Sequence, residues 1–195
     1  MRHTHLLAAL AALAMACSPS EPSALANVAL AAQQGDAHAA HGRANNGELT
    51  PAQKKGVADA RNATNQFHDV AAAKAAGYVK QYPAGCAVSP VAGEGAQGFH
   101  YLNEGLVDGT VELLKPELVM YEPQPNGKLQ LIGIDYVVPL TSSDTPPTLL
   151  GVPFMRNEPL GVWALHIWTL RPNPSGMFAA WNPKVSCEHA SKATP

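Results

Sequence analysis

Three cysteines, Cys17, Cys86 and Cys187, constrain this 195-residue chain more than any other feature. An odd number in an exported protein means that one of them has a separate fate. Cys17 lies close to the N-terminus, far from the other two. If it is set apart, Cys86 and Cys187 remain as an even pair. In an oxidising compartment such a pair persists as a disulfide. It would close a loop of about 100 residues, which contributes up to ~4.7 kcal/mol in the chain-entropy account. The alternative is two free buried thiols acting as small hydrophobes.

The N-terminus carries the export argument. Met1 to His5 holds Arg2 and the free amino group, and Leu6 to Ala16 is an apolar run dominated by Leu and Ala. A bilayer-spanning helix needs about 20 apolar residues, so this run is too short to be one. A positive start, a short apolar centre and small closing residues are the layout of a signal peptide over residues 1–16, not of a core helix. Ala14-Met15-Ala16 fits the small-x-small cleavage pattern, and Ala24-Leu25-Ala26 offers a later site. Leu13-Ala14-Met15-Ala16-Cys17 resembles a bacterial lipobox, with its Leu one residue further from the Cys than usual. Lipidation of Cys17 is the fate that leaves the other pair intact.

Residues 17–49 then read as a lipidated cysteine and a flexible linker. They are Ala, Ser, Pro, Gln, Asn and Gly with few large apolar side chains. Such a tract cannot bury enough surface to offset its ordering entropy. His38 and His41 sit inside it and read as incidental. Residues 50–190 have the size of one globular domain, and residues 191–195 form a tail. Net charge is −2 and the basic residues do not cluster, so no nucleic-acid footprint is present. Charged residues are only 14% against 17 Pro and 16 Gly, which points to a loop-rich, β-containing domain.

The domain opens with a helix. Thr50-Pro51-Ala52-Gln53 combines an N-cap Thr, Pro at the first helical position and Gln for a capping box. Val57, Ala60, Thr64, Phe67 and Ala71 follow at helical spacing. Asn62, Thr64 and Asn65 are weak helix formers, so a break is expected there. A second helix over Phe67 to Ala76 should end at Gly77. Tyr78 to Tyr82 is short and β-prone, and Cys86 to Gly98 reads as glycine-rich loop. Strands are expected at Phe99–Leu102, Leu118–Tyr121, Leu129–Val138 and Val162–Leu170. Pro125-Asn126-Gly127 marks a hairpin between the second and third of these. Met177 to Trp181 is a last strand or a short helical turn. The expected class is α+β, with N-terminal helices packed on an antiparallel β-sheet and long loops. A small β-barrel or sandwich with N-terminal helices is the alternative.

Three polar residues interrupt apolar strands. His100 lies in Gly98-Phe99-His100-Tyr101, Asp135 in Gly133-Ile134-Asp135-Tyr136 and His166 in Ala164-Leu165-His166-Ile167. On a regular strand Leu129, Leu131, Gly133, Asp135 and Val137 share one face. If that face is the inner one, Asp135 points inward, where a carboxylate is costly unless paired or metal-bound. Two imidazoles and one carboxylate form a first shell for a divalent transition metal, zinc, copper or iron, with a position left open. No local metal spacing supports the set, and separate hydrogen-bonded roles are the plainer alternative. Tyr101, Asn103, Trp163, Trp168 and Trp181 are candidates to line a ligand pocket, or else core aromatics. Phosphate-loop, dinucleotide and Gly-x-Ser-x-Gly patterns are absent from the sequence, so nucleotide-dependent and acyl-transfer chemistry have little support.

Several stretches together resemble a family of uncharacterised exported bacterial proteins. They are Phe67-His68-Asp69-Val70, Ala75-Ala76-Gly77-Tyr78, Gly98-Phe99-His100-Tyr101-Leu102-Asn103, Leu165-His166-Ile167-Trp168, Asn173-Pro174-Ser175-Gly176-Met177-Phe178 and Trp181-Asn182-Pro183-Lys184-Val185-Ser186-Cys187. The resemblance spans about residues 57–187 and is most specific in the closing stretch. It implies the domain limits and export, and it brings no activity or cofactor. Asp135 stands where that family has the longer Glu. The functional expectation is an exported envelope lipoprotein, anchored to a membrane through lipid and facing the periplasm, with a metal site on His100, Asp135 and His166. A soluble secreted or periplasmic protein is the alternative location. A non-enzymatic module without metal, binding a small molecule or a protein partner, is the alternative function.

Overall fold

The computed structural model describes residues 48–193. The signal segment, Cys17 and almost all of the linker lie outside them. Helix α1 (Pro51–Thr64) begins as the sequence predicts. Thr50 Oγ1 accepts the Gln53 amide N–H and Gln53 Oε1 accepts the Thr50 N–H. Gly56, Val57, Ala60 and Thr64 form its buried stripe. The expected break falls at Asn65, where a 3-10 turn (Asn65–His68) takes over. Helix α2 is therefore shorter than expected, Val70–Ala75, because Asp69 caps it by accepting the Ala71 N–H. Gly77, at φ +99, ends the helical run.

Eight strands follow: β1 (Lys80–Val88), β2 (Ala96–Leu102), β3 (Leu118–Pro123), β4 (Leu129–Pro139), β5 (Thr148–Leu149), β6 (Val152–Pro153), β7 (Met155–Asn157) and β8 (Val162–Ile167). Six of them form one antiparallel sheet in the order β1-β2-β3-β4-β8-β7, curled into a half-barrel. The described chain is therefore mostly β. Helical structure is confined to the N-terminal run and short turns, so the barrel or sandwich alternative describes it better than helices on a sheet. The expected glycine-rich loop at Cys86–Gly98 is also corrected. Its two ends extend β1 and β2, and only the residues between them turn. The Asn-Gly turn closes the β3–β4 hairpin, with Gly127 at φ +78. Met177–Trp181 is neither strand nor helix.

Both faces of the sheet are covered. On one, Phe99, Tyr101, Val119, Tyr121, Ile134, Tyr136, Leu165 and Ile167 pack with Val57, Ala60, Phe67 and Ala73 of the helical run. Tyr121 donates its hydroxyl to the Phe67 carbonyl at 2.7 Å and ties the two layers. On the other face Leu102, Leu118, Val137, Val162 and Ala164 form a smaller cluster. Met120, Ile132 and Trp168 form another beside it.

Two single-residue bulges, beside a wider irregularity at residues 82–85 of β1, set which residues reach which face. Across β1 and β2 the register slips so that Gln97 is the extra residue, and across β3 and β4 the extra residue is Ile132. A bulge bends its strand and increases the local twist. The second bulge corrects the simple alternation. Leu129 and Leu131 belong to the helix-side core, whereas Asp135 faces the opposite side. Asp135 is still buried, because that side is covered too. At the first bulge Gly98 has φ +81, and a Cβ there would lie 2.3 Å from the Tyr121 carbonyl oxygen. Gly98→Ala should therefore cost about 2–3 kcal/mol. Chemical denaturation measures it, and a loss under 0.5 kcal/mol would show that the bulge relaxes freely.

Cys86 on β1 and Cys187 lie at disulfide distance, with Cα atoms 5.8 Å apart. Such a pair suggests an oxidising, exported compartment. No helix among the described residues is long and apolar enough to cross a membrane. Local side-chain bonds shape the C-terminal segment. Asn173 Oδ1 accepts the Ser175 N–H, Asn182 Oδ1 accepts the Lys184 N–H, and the Asn182 backbone bridges to Ala96 at the start of β2.

Candidate metal centre

His100 comes from β2, Asp135 from β4 and His166 from β8. Asp135 and His166 are direct cross-strand partners. Such partners place their Cβ atoms about 4.5–5.5 Å apart, and here His166 Nε2 lies 3.6 Å from Asp135 Oδ2. His100 reaches over from two strands away. Its partner is Met120, while Leu118, two residues back on β3, is paired with Asp135. The His100 and His166 rings meet edge-on with centroids 5.7 Å apart. Trp168 stacks on His166 at 6.4 Å and is held by its indole N–H, which donates to the Ala179 carbonyl.

The three residues are 2%, 5% and 9% exposed, in chain order. One ligand atom from each lies within 4.8 Å of the others. Atoms bonded at about 2.0–2.1 Å to a tetrahedral ion stand roughly 3.3 Å apart. The Asp135–His166 pair, at 3.6 Å, is already close to that spacing, and the other separations, within 4.8 Å, would have to shorten around an ion. His100 Nδ1 and Asp135 Oδ1 are buried and make no hydrogen bond of ordinary geometry, with only weak backbone interactions from Gly98 on His100 and from Tyr136 and Leu165 on Asp135. A buried polar atom left so costs about 1–3 kcal/mol. A cation between the three would remove that cost.

Burial decides the charge states. It holds the His100 imidazole down to about 4, against the opposing pull of Asp135. It pushes the Asp135 carboxyl up to about 7, while His100 and the backbone at Tyr136 and Leu165 pull the other way. A neutral imidazole keeps its lone pair for a metal, and an ion beside Asp135 supplies the charge that its surroundings lack.

A pocket of about 680 Å³ opens over this cluster. Leu118, Val137, Val162 and Ala164 line it from the sheet, and Met155 to Leu160 form one wall. Ala180 and Trp181 of the C-terminal segment form another, fixed to β2 by the Gln97 amide, which donates to the Ala180 carbonyl at 3.0 Å. Of the aromatics expected to line a pocket, Trp181 does so. Tyr101 packs against Tyr121 in the helix-side core and Trp168 lies behind His166. Trp163 donates to the Ser143 carbonyl. Asn103 holds the Gly77 turn by donating to the Ala76 carbonyl. Gln97 escaped sequence reading because only the bulge it forms aims it at the pocket.

Glu117 also escaped. It stands just ahead of β3 and is 1% exposed. Its Oε2 accepts the Val137 N–H at 3.1 Å. Burial pushes its carboxyl up to about 8, against the two backbone amides that favour its charge, and Asp135 and Asp108 add to the rise. The folded protein thus keeps this proton up to about pH 8, whereas the unfolded chain releases it near 4.5. Bound protons exceed those of the unfolded state between these values, so this group's contribution to stability falls as pH rises through that window. Glu117→Gln removes the effect but leaves an amide to satisfy. Relative to wild type, the variant should gain roughly 1–3 kcal/mol on going from pH 5 to pH 9. Urea midpoints at the two pH values test it, and an unchanged difference would mean that Glu117 is ionised in the fold.

No family model, no curated protein and no solved structure matches this chain. The chemistry therefore rests on the site itself: a buried group that could hold a metal ion, open on one side to a pocket.

Proposed function

We propose that this protein is an exported envelope protein that binds one divalent transition metal, zinc, copper or iron, through His100, Asp135 and His166. The observation that carries the reading is the convergence of three buried ligand atoms within 4.8 Å at the floor of a pocket. Three protein ligands would leave a coordination position free, and all three line the pocket. A metal there would activate water or hold a ligand directly.

The sequence layout supports a signal peptide at residues 1–16, a lipid on Cys17 and a tether to residue 49. These would anchor the domain to a membrane, facing the periplasm. The resemblance in the Gly98–Asn103, Leu165–Trp168 and Asn173–Cys187 stretches supports membership of a family of exported bacterial proteins. The near-neutral charge argues against a nucleic-acid partner. The pocket favours a second reading, a ligand-binding module without metal.

Elemental analysis of the full chain, purified from the envelope without chelator, separates the two. About one equivalent of a single transition metal is expected. A folded protein that holds none, and takes up none of zinc, copper or iron, would leave the second reading.

A further inference from the structure

We infer that the pocket binds a small amphiphilic anion: a carboxylate or similar anionic head on the metal, with an aliphatic or aromatic tail along the walls. This rests on the metal reading and adds the class of ligand to it.

Charge selects the head. A divalent ion with one aspartate and two neutral imidazoles carries a net positive charge of one. The lining offers nothing to cancel it. Its other charged side chains, Arg156 and Glu158, are paired with each other at the rim. Arg156 also lies over the Trp163 ring, 5.3 Å from its centroid. An uncompensated cation in a buried site attracts an anion strongly.

The walls select the tail. Leu118, Val137, Leu160, Val162 and Ala164 surround the approach to the three ligands. Gln97 is a nearby polar group, and its amide nitrogen is already committed to the Ala180 carbonyl. A sugar or a peptide would lose water from many hydroxyls or amides and find few partners in return. An alkyl or aryl group loses none. The volume of about 680 Å³ suits a small molecule, since such sites span roughly 300–1,000 Å³.

Three probes on the full chain, loaded with Co²⁺ and followed by its visible absorption, test the inference. Octanoate has head and tail, acetate the head alone, and octylammonium the tail with the opposite charge. Burying even two of octanoate's additional methylenes should tighten binding about tenfold over acetate. Octylammonium should not perturb the Co²⁺ spectrum. Removing the metal with a chelator should abolish octanoate binding measured by calorimetry. Ala164→Phe, which narrows the approach, should lose the octanoate preference, read on protein whose Co²⁺ spectrum shows the metal still bound. Equal affinity for octanoate and acetate on a fully loaded protein would overturn the inference and leave the metal site standing. Failure to take up Co²⁺ or any other divalent metal would remove both.

Discussion

Asp135→Asn should leave the protein folded and without metal. Asn has the same size and shape as Asp but cannot supply the negative charge that a dication requires. Metal content should fall from about one equivalent to under a tenth, reflecting a loss of affinity of more than about 100-fold. His100→Ala and His166→Ala should each do the same. Stability distinguishes this from a structural role. In chelator, Asp135→Asn should unfold within about 1 kcal/mol of wild type, because the buried carboxyl is itself penalised by its surroundings. With metal added, only wild type should gain, since an ion that binds the folded state alone stabilises it in proportion to the logarithm of its excess over Kd. Elemental analysis and thermal melts with and without metal measure both halves. Independent structural roles would give the reverse: single losses of ~1–3 kcal/mol in chelator and no change in metal.

Opening the Cys86–Cys187 pair should cost about 2–4 kcal/mol. The two residues are 101 apart in sequence, so the closed loop covers most of the described chain. A cross-link of that span strongly restricts the unfolded ensemble, and long loops gain most. For a chain of this size that loss lowers the melting temperature by roughly 5–15 °C. The consequence for the site is local as well. Cys187 ties the C-terminal segment to β1, and that segment supplies Ala180 and Trp181 to the pocket. Cys86→Ser with Cys187→Ser should therefore weaken ligand binding more than metal binding, because all three metal ligands sit on other strands. Denaturant titration with and without dithiothreitol checks the first effect. Equal midpoints in the two conditions would mean that the bridge contributes nothing.

Much of the local structure was legible in the residues. The Thr50–Gln53 capping box starts α1 where it was expected, because a cap depends on side chains within four positions. The Asn-Gly turn closed its hairpin, since the positive φ it needs falls on Gly127, where glycine supplies it without steric cost. The three candidate ligands stood out as polar interruptions of apolar strands. The class was less legible. The helical segment had the clearest periodic pattern, yet strand exceeds helix among the described residues. β4 was expected at Leu129–Val138 and is there, but burial on both faces leaves it no clean alternation to say which side of the sheet each residue meets.

What the sequence determined by itself, then, were the caps, the turns, the helical run and the identity of the polar residues placed among apolar neighbours. Tertiary structure alone decided that His100, Asp135 and His166 meet. They are dozens of residues apart, and their convergence depends on strand order and pairing register, which no local pattern encodes. It also decided which way each side chain faces. One extra residue at Gln97 and another at Ile132 switch the alternation of their strands. A bulge is a relation between two strands, so its effect appears only once both are in place.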